Sequence, residues 1–460
     1  MRKSVVLGLA VALLVSVVGC ASIALEEVSG ETEAVTVRAK DGAIAVGPFR
    51  YLSTDWLPIG QAWVWGDTPE GQQIYAVVDP QGPVQTCLIP DESRLAGPNP
   101  LSDGSGCAGI SYPSFTAWVH LFSGETRQLG PAEGLLPGPK GDRLLLFGSG
   151  RTVLIDIGTG MEVEQPDIPA YRFPYAGAGI QWVDEDAVLI QEWENDRTGV
   201  RVAKVVGAEQ VAKYTVPGQV LSPYVAPGGA WLALLAGPAD EAVVLPEAVF
   251  PIPVGRTLSI YRADQTQSQA RLAAGAGRMI SDIIWSPDAG FLAYVEAERM
   301  LIEDAPVPEL AFGDDGKVLL AAAPGFECVE LPLPNDRIWL PVSFAPGNRY
   351  LAVRAERTGE IMIWDLVAEQ MIVPPVELAG GSLHWYVADT IFCQRCPTDA
   401  WLTWHVPSGK LQQVDLPIGC DYYWAGEHVS FRYSVAAGAT VPAFGQLKEG
   451  EWLLVYPLSP

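Results

Sequence analysis

Trp285-Ser286-Pro287-Asp288-Ala289-Gly290-Phe291-Leu292-Ala293-Tyr294-Val295 reads as the end of one strand, a tight turn and a second strand. Pro287 presets φ at the turn, Asp288 can bond its own backbone two residues on, and Gly290 is the residue expected to take the left-handed conformation. Phe291 to Val295 is apolar on both faces, as a strand held between two other layers must be. Such a hairpin cannot bury itself. Pro227-Gly228-Gly229 leading to Leu232-Ala233, and Pro346-Gly347-Asn348 leading to Leu351-Ala352, keep the same distance of five residues from Pro to Leu.

Outward from these copies, an apolar or aromatic residue recurs seven positions before an apolar strand residue. The pairs are Pro137/Leu144, Trp182/Leu189, Val225/Leu232, Trp285/Leu292, Phe344/Leu351, Trp385/Phe392 and Trp424/Phe431, with a looser copy at Trp63-Val64-Trp65 running into Ile74 to Val78. Pro, Gly and Asp inside most intervals exclude a helical heptad. Each copy is followed by a third strand, as in Ala117 to Leu121, Val153 to Ile157, Ile361 to Leu366 and Trp401 to His405, and most by a weaker fourth. Four short antiparallel strands repeated in this way predict an all-β chain, a β-propeller of four-stranded antiparallel blades. Eight anchors suggest eight blades, with seven as the alternative if the loose first copy is an elaborated neighbour. The last copy ends at Trp452 to Tyr456 without an outer strand, so an N-terminal strand near Ala43 to Val46 is expected to complete that blade and close the ring.

Trp285 to Val295 resembles the strand pair of TolB-like propeller repeats, and Ile363-Trp364-Asp365-Leu366 is similar to the Trp-Asp ending of WD-repeat blades. The Gly-His dipeptide of strict WD repeats is missing. The resemblance covers most of residues 60 to 456 and is strongest near 221 to 378. It implies a binding platform, although many unrelated functions share this fold.

The N-terminus carries an address. Met1-Arg2-Lys3 and the apolar run Val5 to Val18 form an export signal, and Val17-Val18-Gly19-Cys20 resembles the lipobox of bacterial lipoproteins. The resemblance implies cleavage before Cys20 and acylation of that cysteine. Residues 1–19 are then the signal, 20–40 an acidic tether with Glu26, Glu27, Glu31 and Glu33, and 41–460 the propeller. The folded part is expected outside the cytoplasm, held on the cell or outer membrane by the lipid alone. Loss of Arg2 and Lys3 lowers the 29 basic residues to 27 against 54 acidic ones, moving the formal charge from −25 to −27. That charge argues against nucleic acid, which needs Lys and Arg to displace counterions, and against anionic headgroups as a docking surface.

Six cysteines remain after Cys20, an even number that favours disulfides in an exported chain. Cys87 with Cys107 would close one Pro/Gly-rich loop, and Cys393, Cys396 and Cys420 form a second group. A redox pair lacks its βαβ context, and a zinc site with His405 lacks a second ligand pair.

Three long segments are expected as insertions between second and third strands on one face: Asp79 to Pro113, Gly237 to Gly255 and Glu296 to Asp315. The second offers Asp240, Glu241, Glu247 and Phe250, and the third Glu303 and Asp304. Apolar segments rimmed by carboxylates suit a protein or peptide partner, or a glycan or basic ligand. Asp314-Asp315-Gly316 resembles a fragment of a calcium loop without its following ligands. No metal or other cofactor is expected. Hydrolase and phosphate-binding motifs are absent, and His120, His384, His405 and His428 read as structural. A glycan-active enzyme using Asp/Glu carboxylates is the alternative, and a structural subunit of an envelope assembly the third reading.

Overall fold

The computed structural model describes residues 35–457, leaving out 40–41, 58, 149, 166–167, 169–179, 195–196, 206–209, 215–218, 238–253, 303–308, 313–314, 335–336, 379–380, 395–400, 415, 417–419, 426–427, 437–438 and 442. These residues fall within the compact unit Ala34–Pro460. They form nine antiparallel blades, not eight or seven. Written from the innermost strand outward, blade 1 is Tyr51–Trp56, Ala62–Asp67, Gln73–Val78 and Val84–Ile89. Blade 2 is Asn99–Pro100, Gly106–Ser111, Thr116–Leu121 and Thr126–Pro131. Blades 3 to 8 begin with Gly134–Pro137, Ile180–Trp182, Gln219–Val225, Arg278–Trp285, Trp339–Phe344 and Ser382–Val387. Blade 9 takes Cys420–Ala425, His428–Val435 and Gly450–Pro457 from the C-terminus, then Ile44–Phe49 and Val35–Arg38 from the N-terminus. Ile44 pairs with Val455 and Val46 with Leu453, so the two ends of the chain share one sheet. Val35–Arg38, within the expected tether, is already a strand, pairing with Ile44–Gly47.

The extra blade begins inside the segment Asp79 to Pro113, which is therefore no insertion. That segment supplies the outer strand of blade 1 and the two innermost strands of blade 2. Trp63-Val64-Trp65 is a second strand, since Tyr51–Trp56 precedes it and pairs with it. Blade 2 escaped notice because Asn99–Pro100 and Gly106–Ser111 carry no large anchor. They are small for a reason: a Cβ on Gly106 would collide with the His120 carbonyl, and one on Gly109 would press on Leu95.

Both faces of each blade are buried because each packs on two neighbours. In Phe291–Ile302, the second strand of blade 6, Leu292 and Tyr294 enter the core shared with blade 5, while Ala293 and Val295 enter the core shared with blade 7. Burying one such aliphatic side chain contributes about 1.5–3 kcal/mol. A separate apolar cluster fills every seam, including that between blades 9 and 1, where Leu453 and Val455 meet Leu52 and Val64. The ring is closed.

The predicted sevens join the first two strands of a blade. Pro137 pairs with Leu144, Val225 with Leu232, Trp285 with Leu292 and Phe344 with Leu351. Between them lies one recurring turn, in which a backbone N–H bonds the carbonyl three residues earlier: Gly60 to Leu57, Gly104 to Leu101, Gly141 to Gly138, Gly229 to Ala226, Ala289 to Ser286 and Asn348 to Ala345. Each donor has φ between +56° and +77°. In blade 6 the left-handed residue is thus Ala289, not the expected Gly290. Gly290 N instead bonds Asp288 Oδ1 at 2.9 Å, and Ser286 Oγ bonds the same oxygen at 2.7 Å.

The Trp-Asp ending of blade 7 is a structural device. Asp365, 1% exposed, accepts the Val367 and Ala368 amides at 3.0 Å and the Arg349 guanidinium at 2.8 Å. Burial alone would raise its carboxyl, but these donors outweigh burial and hold it below the ordinary range.

Candidate functional site

In each blade the turn between second and third strands opens on the same face as the connection to the next blade. Blades 5 and 6 are adjacent, and both enlarge this face. Blade 5 passes from Gly237 to Thr257 through residues 238–253, which lie outside the described residues and contain Asp240, Glu241, Glu247 and Phe250. In blade 6 the second strand runs on past the sheet: Arg299 to Ile302 pairs with Glu309–Phe312 to make a projecting ribbon. Glu303 and Asp304 belong to the segment between the two ribbon strands, also outside the described residues. Blade 9 adds a feature that sequence reading missed, a small ribbon of Thr440–Val441 with Gly445–Gln446 between its second and third strands.

The base of the blade 6 ribbon is braced by one cation. Arg278, at the start of the innermost strand, pairs with Asp315 and donates to the Glu296 and Asp315 carbonyls at 2.9 and 3.0 Å. Its Nε stands 2.8 Å from Glu296 Oε1, a Coulombic contact without an aligned hydrogen bond. Glu296 Oε1 also accepts the Gly275 amide at 3.1 Å, and Asp315 Oδ1 the Glu298 amide at 2.9 Å. Burial would raise the Asp315 carboxyl, but the Glu298 amide and Arg278 pull it below the ordinary range. Asp315 therefore serves this brace, and Asp314 lies outside the described residues. Arg256 of blade 5 reaches the Gly275 carbonyl at 2.9 Å and the Arg278 carbonyl, tying the two enlarged blades together.

Cys87 and Cys107 are free thiols, so the bridge expected between them is not formed. Cys87 sits on the outer strand of blade 1 opposite Tyr75, whereas Cys107 lies on the second strand of blade 2 in the same seam. Burial raises both thiols. Cys393 is bridged; Cys396 lies outside the described residues and Cys420 is described in its backbone alone. His120 is fully buried, with Nδ1 3.1 Å from Thr126 Oγ1. Burial lowers its pKa and holds it neutral. His405 Nδ1 meets Ser408 Oγ at 2.7 Å in the turn that ends its strand. Among the described residues no three His, Cys, Asp or Glu side chains are grouped to hold a metal ion, and no helix is long and apolar enough to cross a membrane. Cys20 lies outside the described residues.

No protein-family model matches the chain, and no curated protein does. Among solved structures it is similar to a eukaryotic initiation factor, at 11% identity over 83% of this chain and 96% of that one, with a TM-score of 0.51. It is also similar to Kluyveromyces lactis Hsv2p, at 8% identity over 70% and 97% with a TM-score of 0.37. The β-propeller domain of Myceliophteria thermophila Cps50 (Swd1) matches at 13% identity over 68% and 97%, with a TM-score of 0.32. The first of these supports the class that the strand order defines, a β-propeller. Identities this low show the fold alone.

Proposed function

We propose that the chain is an exported, lipid-anchored β-propeller that binds a protein or peptide partner on the face enlarged by blades 5 and 6. The observation that carries this reading is the ribbon of blade 6. A strand of 12 residues, against 8 and 6 in the two blade strands that flank it, leaves the sheet and is clamped at its base by Arg278, an expensive arrangement for a loop of no consequence. The formal charge of −25 supports a partner with a basic surface. Export and anchoring rest on the resemblance of Val17-Val18-Gly19-Cys20 to a lipobox.

The binding test is affinity capture after mild crosslinking, using the whole chain and a variant in which residues 299–314 are replaced by Asn-Gly. Loss of a reproducible partner, with the melting temperature kept, is the expected result. Recovery of the same partner by the shortened chain would remove the ribbon from the interface. Anchoring is tested separately: Cys20→Ala is expected to leave the membrane fraction or stay unprocessed, and unchanged attachment and processing would contradict the lipid.

A further inference from the structure

The innermost strands of the nine blades wall the central channel. Among the described side chains of these strands the charged ones are few: Asp55 in blade 1, Asp282 in blade 6 and the cation Arg278, also in blade 6. Arg278 is occupied at the rim by Glu296 and Asp315. The remaining wall is electronegative.

Asp282 combines a strand bulge, which blade 9 repeats at Asp421 and Tyr422, with a left-handed backbone. In blade 6, Asp282 and Ile283 together oppose the single residue Tyr294, because Ser281 pairs with Val295 and Ile284 with Ala293. Such a bulge re-aims a side chain. Ile283 takes the buried place, packing in the seam with blade 5. Asp282 is exposed at φ +47°, in the middle of an innermost strand, where the only solvent is that of the channel. A left-handed aspartate is tolerated but costs about 1 kcal/mol, and such costs gather at sites of function.

Its surroundings define a ligand chemistry. Ser281 Oγ bonds Asp282 Oδ2 at 2.6 Å. On the neighbouring innermost strand, Ser222 and Tyr224 of blade 5 are half-buried, and the Asp282 charge reaches the Tyr224 phenol, which burial chiefly raises and Asp282 raises further. On the other side, Val342 stands 38% exposed at the bulge of blade 7. A carboxylate with hydroxyls on one flank and an exposed aliphatic side chain on the other suits a group with three N–H donors on an alkyl stem. A metal ion would need further anionic or imidazole ligands, and none are grouped here among the described residues.

We infer that the channel binds an alkylammonium group at Asp282, with Ser281, Ser222 and Tyr224 as polar neighbours and Val342 against the stem. The group has two sources, a free diamine or polyamine, or a lysine side chain of a partner that enters the channel. This site is independent of the ribbon, so loss of partner capture by the shortened ribbon leaves it standing.

The test is calorimetric titration of the whole chain with 1,5-diaminopentane and with a lysine-containing tripeptide. Asp282→Asn keeps size and left-handed tolerance while removing charge, and is expected to weaken binding at least tenfold. Asp282→Gly is a second variant that relieves the backbone and should lose binding equally while melting no lower. Glu162→Gln, on the exposed outer strand of blade 3, makes the same change in net charge and should leave binding unaltered. The tighter of the two probes identifies the source. Absence of saturable binding by both probes, or equal weakening by the Glu162 and Asp282 variants, would overturn the site in favour of diffuse surface charge.

Discussion

Blades 1–4 and blades 5–9 solve the same packing problem differently. In the first group the innermost strand pairs with the second strand without a register shift. In every member of the second group the register shifts once along that strand. The regular half keeps its inner strands in unbroken register with their neighbours. In the bulged half, blades 6 and 7 place the exposed side chains of Asp282 and Val342 at the shift, and blades 5, 6 and 9 also elaborate the loop face. Irregularity is concentrated within and beside the blades whose repeats are clearest from sequence, around 221 to 378. A scaffold that strongly specifies its hairpins can hold a strained residue such as Asp282 between them.

The largest expected difference between the halves concerns the tryptophan at the end of the innermost strand. Trp285 donates its indole N–H to the Tyr224 carbonyl of the preceding blade at 3.1 Å, and Trp385 does the same to Ser343 at 3.3 Å. In the regular half, Trp182 Nε1 is buried without a partner. Trp285→Ala should cost about 3–5 kcal/mol in urea unfolding. Replacement by Phe separates the terms: Trp285→Phe should lose about 1 kcal/mol more than Trp182→Phe, because only the former gives up a hydrogen bond. Equal losses would make the interblade bond irrelevant to the contrast.

A second pair of sites tests how the strand ends are held. Asp365 in blade 7 is buried under Arg349 and two amides, whereas Asp156 in blade 3 accepts Thr159 Oγ1 and N at 2.7 Å in a more open turn. Hydrogen bonds lower both carboxyl pKa values, those from Thr159 foremost for Asp156 and those from Arg349 and the turn amides against burial for Asp365. Asp365→Ala should cost about 3 kcal/mol at pH 7 and Asp156→Ala about 1. For a depressed carboxyl, the stabilisation is present above the unfolded value of about 4 and is lost as pH falls through the folded one. The gap between wild type and each variant should therefore close progressively below about pH 4. A gap that persists at acid pH would assign the loss to packing.

Arg278→Met probes the enlarged face. Both Glu296 and Asp315 lose their cation, and the side chains of Arg278 and Glu296 are only 17% and 18% exposed. A loss of about 2 kcal/mol is expected, with faster amide exchange in Arg299 to Ile302 and little change in Leu292 to Val295. Uniform exchange along the whole strand would show that the ribbon does not open independently of blade 6.

These sites also show what the chain discloses before folding. The hairpins were legible because an apolar or aromatic residue and Leu fall seven apart at each five-residue Pro-to-Leu turn, as in Val225/Leu232, Trp285/Leu292 and Phe344/Leu351. Pro139 and Leu144 keep that distance as well, in a copy recognised only through Pro137. Blade 2 was not legible, because its turn has Ser102 in the proline position and its inner strands use glycine for close approach rather than bulk. The strand closing blade 9 could be expected from an array that ends one strand short. The bulges could not, since a one-residue register shift is decided by neighbouring blades and leaves no composition signal. The expected ligand residues of the two insertions stand outside the described residues, and the Arg278 brace beneath them joins positions 278, 296 and 315, which no local motif links.

The smallest effect bears on the turn shared by both halves. Blades 1, 2 and 3 place glycine at its left-handed position, Gly60, Gly104 and Gly141, while blades 6 and 7 place Ala289 and Asn348 there. Ala289→Gly copies the solution of the regular half. It removes a left-handed cost of about 1 kcal/mol but adds chain entropy to the unfolded state, for a net gain of about 0.5 kcal/mol. A higher urea midpoint at unchanged slope is the expected outcome. A lower midpoint would mean that the Ala289 methyl, on a residue only 6% exposed, contributes more by packing than its backbone loses by strain. In that case the non-glycine turns of blades 6 and 7 would belong to the packing of the bulged half rather than being tolerated departures from it.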